Sequence, residues 1–438
     1  MATFPGVSPR RWRERASRGL ISALSLLVFA FLDLADFVLC FFYRFVDGFL
    51  DENPIPCYCW NRREKQGSPD GVGEEEEVSE TLYGRKNLFR EICLVCIGGR
   101  SSEREEKRGS RSRGRWSDCG CESCVSSQQG KEEEKLYLMV REPSQARTGN
   151  YKGNSFENVI FLHGFLSSSS MWLETVFPNL SEVAKRDFRM FAVDLLGFGR
   201  SPKPTNCMYR LKEHLEMIEK SVLKPFQLSS FHLVAHSMGC IIALALAAKY
   251  PDSVRSVTLI APPYFSSTEV RASHTALNRL AERKIWPPLL FGSSIMSWYE
   301  HLGRTVCFIY CRNHAMWEWI LKLFTWRRDL NFMITDLTKH THHSAWHTMH
   351  NVICGAMKLM DKHLEVVNKA GISVKIIQGD KDQVVPLECS YNMKSKLPLV
   401  DLKIITNADH NTVMIGREKV FTRDLEQIWF ASIKSKLS

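Results

Sequence analysis

Residues 231–250 read FHLVAHSMGCIIALALAAKY, an apolar, β-rich run set directly against a helix-forming run. No turn residue separates the two, so the chain must pass from strand to helix in one sharp bend, and both elements are too apolar to face water. That combination calls for a sheet with helices on its faces. At the joint stands one hydroxyl, Ser237. A serine held on such a bend projects above the sheet edge, provided its neighbours are small enough to clear the adjoining strand and helix. Ala235-His236-Ser237-Met238-Gly239 meets that need with Ala235 and Gly239, alanine replacing the first glycine of the usual G-x-S-x-G. A serine that only caps the following helix is the plainer alternative.

The rest of the chain is arranged to match. Candidate strands at 136–142 (LYLMVRE), 158–164 (NVIFLHG), 189–195 (RMFAVDL), 254–262 (VRSVTLIAP), 373–380 (SVKIIQGD) and 400–406 (VDLKIIT) alternate with helices near 171–185, 209–223, 238–249 and 387–396, and with one from about Asn411 onward. Continuous Val/Ile/Leu runs flanked by helices predict parallel strands covered on both faces, an α/β architecture. A chain of 438 residues with 44% hydrophobic content can fill such a core.

Three further segments fall where an activated serine needs partners. FLHGF (161–165) ends a strand with the turn His163-Gly164, and the N–H of Phe165 can pair with that of Met238 as an oxyanion hole. QGDKDQVVP (378–386) sets Asp382 beyond a strand end, with Pro386 opening the next helix; Asp380 reads as a turn-shaping residue, as does Asp409. NADHNTV (407–413) carries His410. The order Ser237, Asp382, His410 is that of α/β-hydrolases, in which the imidazole takes the serine proton and the carboxylate holds its tautomer. The reading is therefore an α/β-hydrolase fold carrying a serine hydrolase that needs no cofactor. A receptor or lipid carrier on the same fold, with slow or no turnover, is the competing class.

Residues 194–204, DLLGFGRSPKP, read as a surface loop that shapes the site, since no G-x-x-x-x-G-K-[ST] phosphate cradle is present. Residues 264–371 hold Trp286, Trp298, Trp317, Trp319, Trp326 and Trp346 and read as a helical cap suited to acyl chains. Within it, His343 and His347 stand four apart, but the glutamate of H-E-x-x-H is missing. Polar lining or surface is the expectation for them, with no metal assigned.

At the N-terminus, RRWRERASR (10–18) precedes the uncharged LISALSLLVFAFL (20–32), the pattern of a signal peptide or signal anchor. Extending the span to Tyr43 would put Asp33 and Asp36 in hydrocarbon, at about 2.5–3.5 kcal/mol each on insertion scales; a buried amphipathic helix is the alternative. Residues 51–135 are charged and rich in glycine and serine, and read as a mostly disordered linker. It carries Cys57, Cys59, Cys93, Cys96, Cys119, Cys121 and Cys124. The pairs Cys93/Cys96 and Cys121/Cys124 have zinc-type spacing but lie too far apart for a compact ribbon, so the expectation is disulfides in an exported chain and free thiols in one that never enters the secretory route. Asn179-Leu180-Ser181 is an N-glycan acceptor pattern. The domain division is 1–50, 51–135, a core at 136–263 and 372–438, and the cap at 264–371. The charge of +10 is dispersed, which argues against nucleic acid and leaves a lipid or acyl-ester substrate and a membrane or cell-wall surface as partners.

The segments FLHGFLSSSSMWLETVFP, DLLGFGRSPKP, HLVAHSMGCIIALALAAKYP and VTLIAPPY closely resemble plant BODYGUARD-type proteins, described as probable lysophospholipases. The resemblance covers 136 to the C-terminus and extends to the N-terminal apolar segment. It implies the α/β-hydrolase fold, a triad falling on Ser237, Asp382 and His410, an extracellular or wall-associated place in epidermis, and a part in depositing cutin.

Overall fold

The computed structural model describes residues 9–51, 78–83, 87–90, 115–122, 124–125, 135–144, 156–266, 271–326 and 328–434. Among the described residues seven strands build one sheet in the order β1-β3-β2-β4-β5-β6-β7. They are β1 (Leu138–Arg141), β2 (Glu157–Leu162), β3 (Phe188–Val193), β4 (Phe231–His236), β5 (Val254–Ile260), β6 (Ser373–Gly379) and β7 (Asp401–Ile405). Only β1 is antiparallel, against β3; the other pairings are parallel. β4 sits between β2 and β5, and all six of its residues are buried.

Two apolar layers follow from the alternation of side chains along the strands. On one face Leu233 and Ala235 of β4 share a cluster with Ile241 and Leu244 of the next helix. On the other, Val234 joins Phe161, Phe188, Trp172 and Trp429. That next helix, Met238–Lys249, is buried continuously from Met238 to Ala247. A helix apolar on every side has to be enclosed, which is why it lies against the middle of the sheet.

Several elements depart from the sequence expectation for local reasons. The helix expected at 171–185 is two short helices, Ser170–Thr175 and Glu182–Asp187, with a 3-10 turn at Phe177–Asn179 where Pro178 lacks an N–H. The helix expected from Asn411 begins at Glu418, because the Asp409 carboxylate accepts the N–H groups of Asn411 and Thr412 and makes a turn instead. Among the described residues of 264–371 the elements are helices, yet Met357–Lys369 puts Met360 and Leu364 into the core cluster beside Leu244, so the chain is back in the core layer before 371.

The segment 194–204 is a correction: it is almost wholly buried rather than on the surface. Its polar backbone is satisfied internally. Asp194 accepts the N–H groups of Ser169 and Arg200, Lys203 Nζ donates to the carbonyls of Gly199 and Ser201, and Ser344 of the cap donates to the Gly197 carbonyl. Enclosure pushes the Lys203 ammonium down to about 8.

The N-terminal helix, which we label α1 (Pro9–Leu50), docks on the cap along one stripe. Phe29, Asp33, Asp36, Cys40, Tyr43 and Asp47 are buried, and steps of four and three residues put them on one side. The aspartates are therefore enclosed by protein rather than by hydrocarbon. Asp36 accepts the His301 N–H at 2.9 Å and pairs with Arg90 at 2.6 Å; Asp47 takes a two-pronged contact from Arg304 at 2.6 and 2.7 Å. The His301 backbone N–H and the Arg304 guanidinium both belong to the cap helix α2 (Glu300–Tyr310).

Candidate active site

Ser237 occupies the joint between β4 and α-helix Met238–Lys249 with φ 51° and ψ −121°. A positive φ is costly for a residue with a Cβ, and here it is held by the Ser237 N–H donating to the Ile260 carbonyl of β5 at 2.8 Å. The bend works only with a glycine at 239, where an added Cβ would lie 2.6 Å from the His163 carbonyl oxygen and 2.7 Å from that of Leu162. Ala235 is fully buried on β4.

The turn His163-Gly164 lies against this bend. A Cβ on Gly164 would come within 2.9 Å of His236 Nδ1 and 3.1 Å of Ser237 Cβ, so the backbone at 164–165 runs beside that at 237–238. His163 fixes the turn. Leu195 N–H donates to its Nε2 at 2.9 Å, which leaves the proton on Nδ1 to donate to the Gly164 carbonyl at 2.7 Å. Burial pushes its pKa down, so it stays neutral. Phe165 packs its ring 5.7 Å from that of Phe198. The N–H groups of Phe165 and Met238 thus belong to adjoining backbone segments, and Met238 opens a helix, whose first N–H groups lack intrahelical partners.

Asp382 and His410 come together from the loops after β6 and β7. His410 Nδ1–H donates to Asp382 Oδ2 at 2.8 Å, which leaves Nε2 as a lone-pair acceptor. The carboxylate is fully buried and held by three more donors: the N–H groups of Val384 and Val385 at 2.9 Å each, and the Gln378 amide at 3.0 Å. Asp380 is exposed on the turn, which separates the two neighbouring acids. Among the described residues no hydrogen bond joins Ser237 Oγ to His410. They are brought near each other through His236, whose Nε2–H donates to the His410 carbonyl at 3.1 Å with the two rings 4.7 Å apart. Such contacts are often long before substrate enters.

A family model described as alpha/beta hydrolase fold matches residues 157–286. Probable lysophospholipase BODYGUARD 4 of Arabidopsis thaliana is 50% identical over 414 residues, covering 93% of this chain and 96% of the relative. Probable lysophospholipase BODYGUARD 5 of the same plant is 46% identical, covering 97% and 98%. The chain belongs to the BODYGUARD family. Among solved structures, the enol-lactonase from Burkholderia xenovorans LB400 is 15% identical with a TM-score of 0.45, covering 67% of this chain and 96% of that one.

In this BODYGUARD-family chain two contributors to the site went unnoticed in the sequence. His236 ties the His410 loop to the serine bend, and burial, then the neighbouring His410, push it down to about 3. Gln378 holds Asp382 while accepting from Ser390 Oγ at 3.0 Å. The signal was present for both, since each is a polar residue inside an otherwise apolar strand run.

The cap meets the site through its edge loops. Ser168 Oγ donates to Asp336 at 2.6 Å, and Phe198 bridges to His340. His343 and His347 are buried in the helix His342–Thr348, not on the surface; His343 Nε2–H donates to the Cys207 carbonyl at 2.9 Å, and burial pushes its pKa down to about 3. Metal-type donors gather elsewhere, in the sets Cys119, Cys121, Cys124, His314 and Cys307, Cys311, His340. Cys57, Cys59, Cys93 and Cys96 lie outside the described residues. Asn179 donates its amide to the Thr175 carbonyl at 2.8 Å.

Proposed function

We propose that this chain hydrolyses or transfers acyl groups of lipid esters through an acyl-Ser237 intermediate. His410 Nε2 takes the Ser237 proton as the oxygen attacks the ester carbonyl, and Asp382 steadies the resulting imidazolium. The N–H groups of Phe165 and Met238 stabilise the oxyanion of the tetrahedral intermediate. Its collapse breaks the C–O bond, and His410 returns the proton to the departing alcohol. Water, or the hydroxyl of a second monomer, then repeats the sequence and frees the serine. The observation that carries this reading is the 2.8 Å bond from His410 to a buried, fourfold-held Asp382, beside a serine on a strained bend.

Lysophospholipids are the substrate class suggested by the names of the Arabidopsis relatives, and acyl transfer between hydroxylated monomers would build the polyester cutin. A lipid surface fits the outer side of α1, which exposes Leu26, Leu27, Phe31, Phe45 and Phe49, and the cap's Trp319, Phe324 and Trp326. An apolar helix face of this kind lies in the headgroup boundary, and a location in the secretory pathway, at the cell membrane or in the cell wall, is consistent with it. Labelling with a fluorophosphonate followed by peptide mapping tests the nucleophile: adduct on Ser237 is expected, and folded protein that fails to react there overturns the mechanism. A lipid-extract screen comparing wild type with Ser237→Ala by mass spectrometry then identifies the acyl donor.

A further inference from the structure

The thiols of Cys119, Cys121 and Cys124 and the imidazole of His314 converge from positions 190 to 195 residues apart, with their donor atoms all within 4.8 Å of one another. Cys121 Sγ stands 3.5 Å from His314 Nε2, and Cys124 Sγ stands 3.6 Å from it. A tetrahedral zinc ion with Zn–S near 2.3 Å and Zn–N near 2.0–2.1 Å requires sulfur-to-nitrogen separations of about 3.6 Å. The surroundings match as well. The Cys121 N–H points to Cys119 Sγ at 3.5 Å, and the N–H groups of Cys124 and Val125 both donate to the Cys121 carbonyl. The other nitrogen of His314, Nδ1, faces Glu318 Oε1 at 3.4 Å, one turn along the helix His314–Thr325, the arrangement that orients a metal-bound imidazole.

We infer that Cys119, Cys121, Cys124 and His314 hold a structural zinc ion that clasps the 115–125 segment to the cap. Three thiolates and one imidazole select a borderline-soft cation over calcium or magnesium, and four side-chain ligands close a tetrahedral site, so the ion is structural rather than catalytic. Binding releases the thiol protons and forms three Zn–S bonds and one Zn–N bond, with no redox change. The clasp closes over more than its ligands. Trp116, in the same segment, donates its indole N–H to Asp47 of α1 at 2.7 Å, and Ser117 accepts from Arg304 of the cap at 3.0 Å. One ion therefore secures α1, the 115–125 segment and the cap as a unit. The pairing with Cys93 and Cys96 suggested by sequence is not required, since Cys119 and His314 complete the set. The disulfides expected of these three cysteines are not formed either. Cys307, Cys311 and His340, with sulfur-to-Nε2 distances of 3.6 and 3.7 Å, offer three donors and are not part of the assignment.

The test is zinc content of the full chain, purified in detergent without chelator, by plasma mass spectrometry. Wild type is expected to hold about one equivalent more than Cys121→Ser/Cys124→Ser or His314→Ala, while His314→Cys, which restores four donors, keeps it. Retained fluorophosphonate labelling of each variant verifies that the hydrolase core is folded. Equal zinc in wild type and both loss variants overturns the assignment, as does a disulfide-linked peptide among residues 119, 121 and 124 in native wild type. Should the variants fail to fold, cobalt titration of metal-stripped wild type decides: the thiolate-to-cobalt absorption of a tetrahedral site supports the clasp, and its absence overturns it.

Discussion

The sheet around Ser237 and the assembly of α1 with the cap are held by different physics. The sheet is closed by apolar burial: Leu233, Ile241 and Leu244 on one face, Phe161, Trp172 and Trp429 on the other. That attraction is non-directional, and it accumulates over many small contacts. The outer assembly adds to the apolar burial of Phe29 and Tyr43 a few directional contacts between distant segments, such as Asp47 with Arg304 and Asp36 with Arg90. Removing one partner of a buried pair strands the other charge, so the outer assembly is open to single-residue disruption in a way the sheet is not. The difference teaches that the bend at Ser237 and the outer assembly depend on different residues and can be perturbed separately.

Four changes would break or sharpen that contrast. Ser237→Ala is expected to lower ester turnover by about 10⁶-fold with thermal stability unchanged, measured on a lipid ester and by calorimetry; comparable turnover in the variant would remove the serine from the chemistry. Asp382→Asn should cost about 10⁴-fold in kcat, because an amide at this position no longer enforces the His410 tautomer. Steady-state kinetics would read it, and a loss confined to KM would argue against the assigned role. Arg304→Met should destabilise the docking of α1 by about 3–5 kcal/mol, seen as faster hydrogen exchange in 29–47 and 300–310. Fluorophosphonate labelling of Ser237 should persist; its loss would show that cover and core are one cooperative unit.

The smallest effect concerns pH. His214, His232, His236 and His343 are each pushed down to about 3, mainly by burial, so they stay neutral in the folded chain while the unfolded chain protonates them near 6.5. Their contribution to stability is fully present above pH 6.5 and is lost as pH falls from there toward 3. Denaturant titrations at pH 7, 6 and 5 should show stability dropping by at least about 1.4 kcal/mol per pH unit, one proton's worth, below 6. A flat profile would mean that these imidazoles gain water or a partner in solution.

Much of the site was legible because each of its parts is a local pattern. Ala235, Gly239 and Gly164 announce close backbone approach, and Asp382 and His410 follow apolar strand runs at β6 and β7. The segment 194–204 misled because its glycines and prolines speak for a loop and say nothing of what covers it; Ser344 and Phe198 contacts with the cap bury it. The partners of the α1 aspartates were hidden for the same reason. Read alone, Asp33 and Asp36 interrupt an apolar span, whereas Arg90 and His301 supply their partners from other parts of the chain.

By itself the sequence determined the strands, the helix buried on all sides and the bend that lifts Ser237, since periodicity and residue size act between near neighbours. Tertiary structure alone decided that His236 ties the His410 loop to the serine bend, that Asp47 meets Arg304, and that Cys119, Cys121 and Cys124 meet His314. Periodicity states which face of an element shuns water; it does not state which distant polar group will arrive to satisfy a buried one.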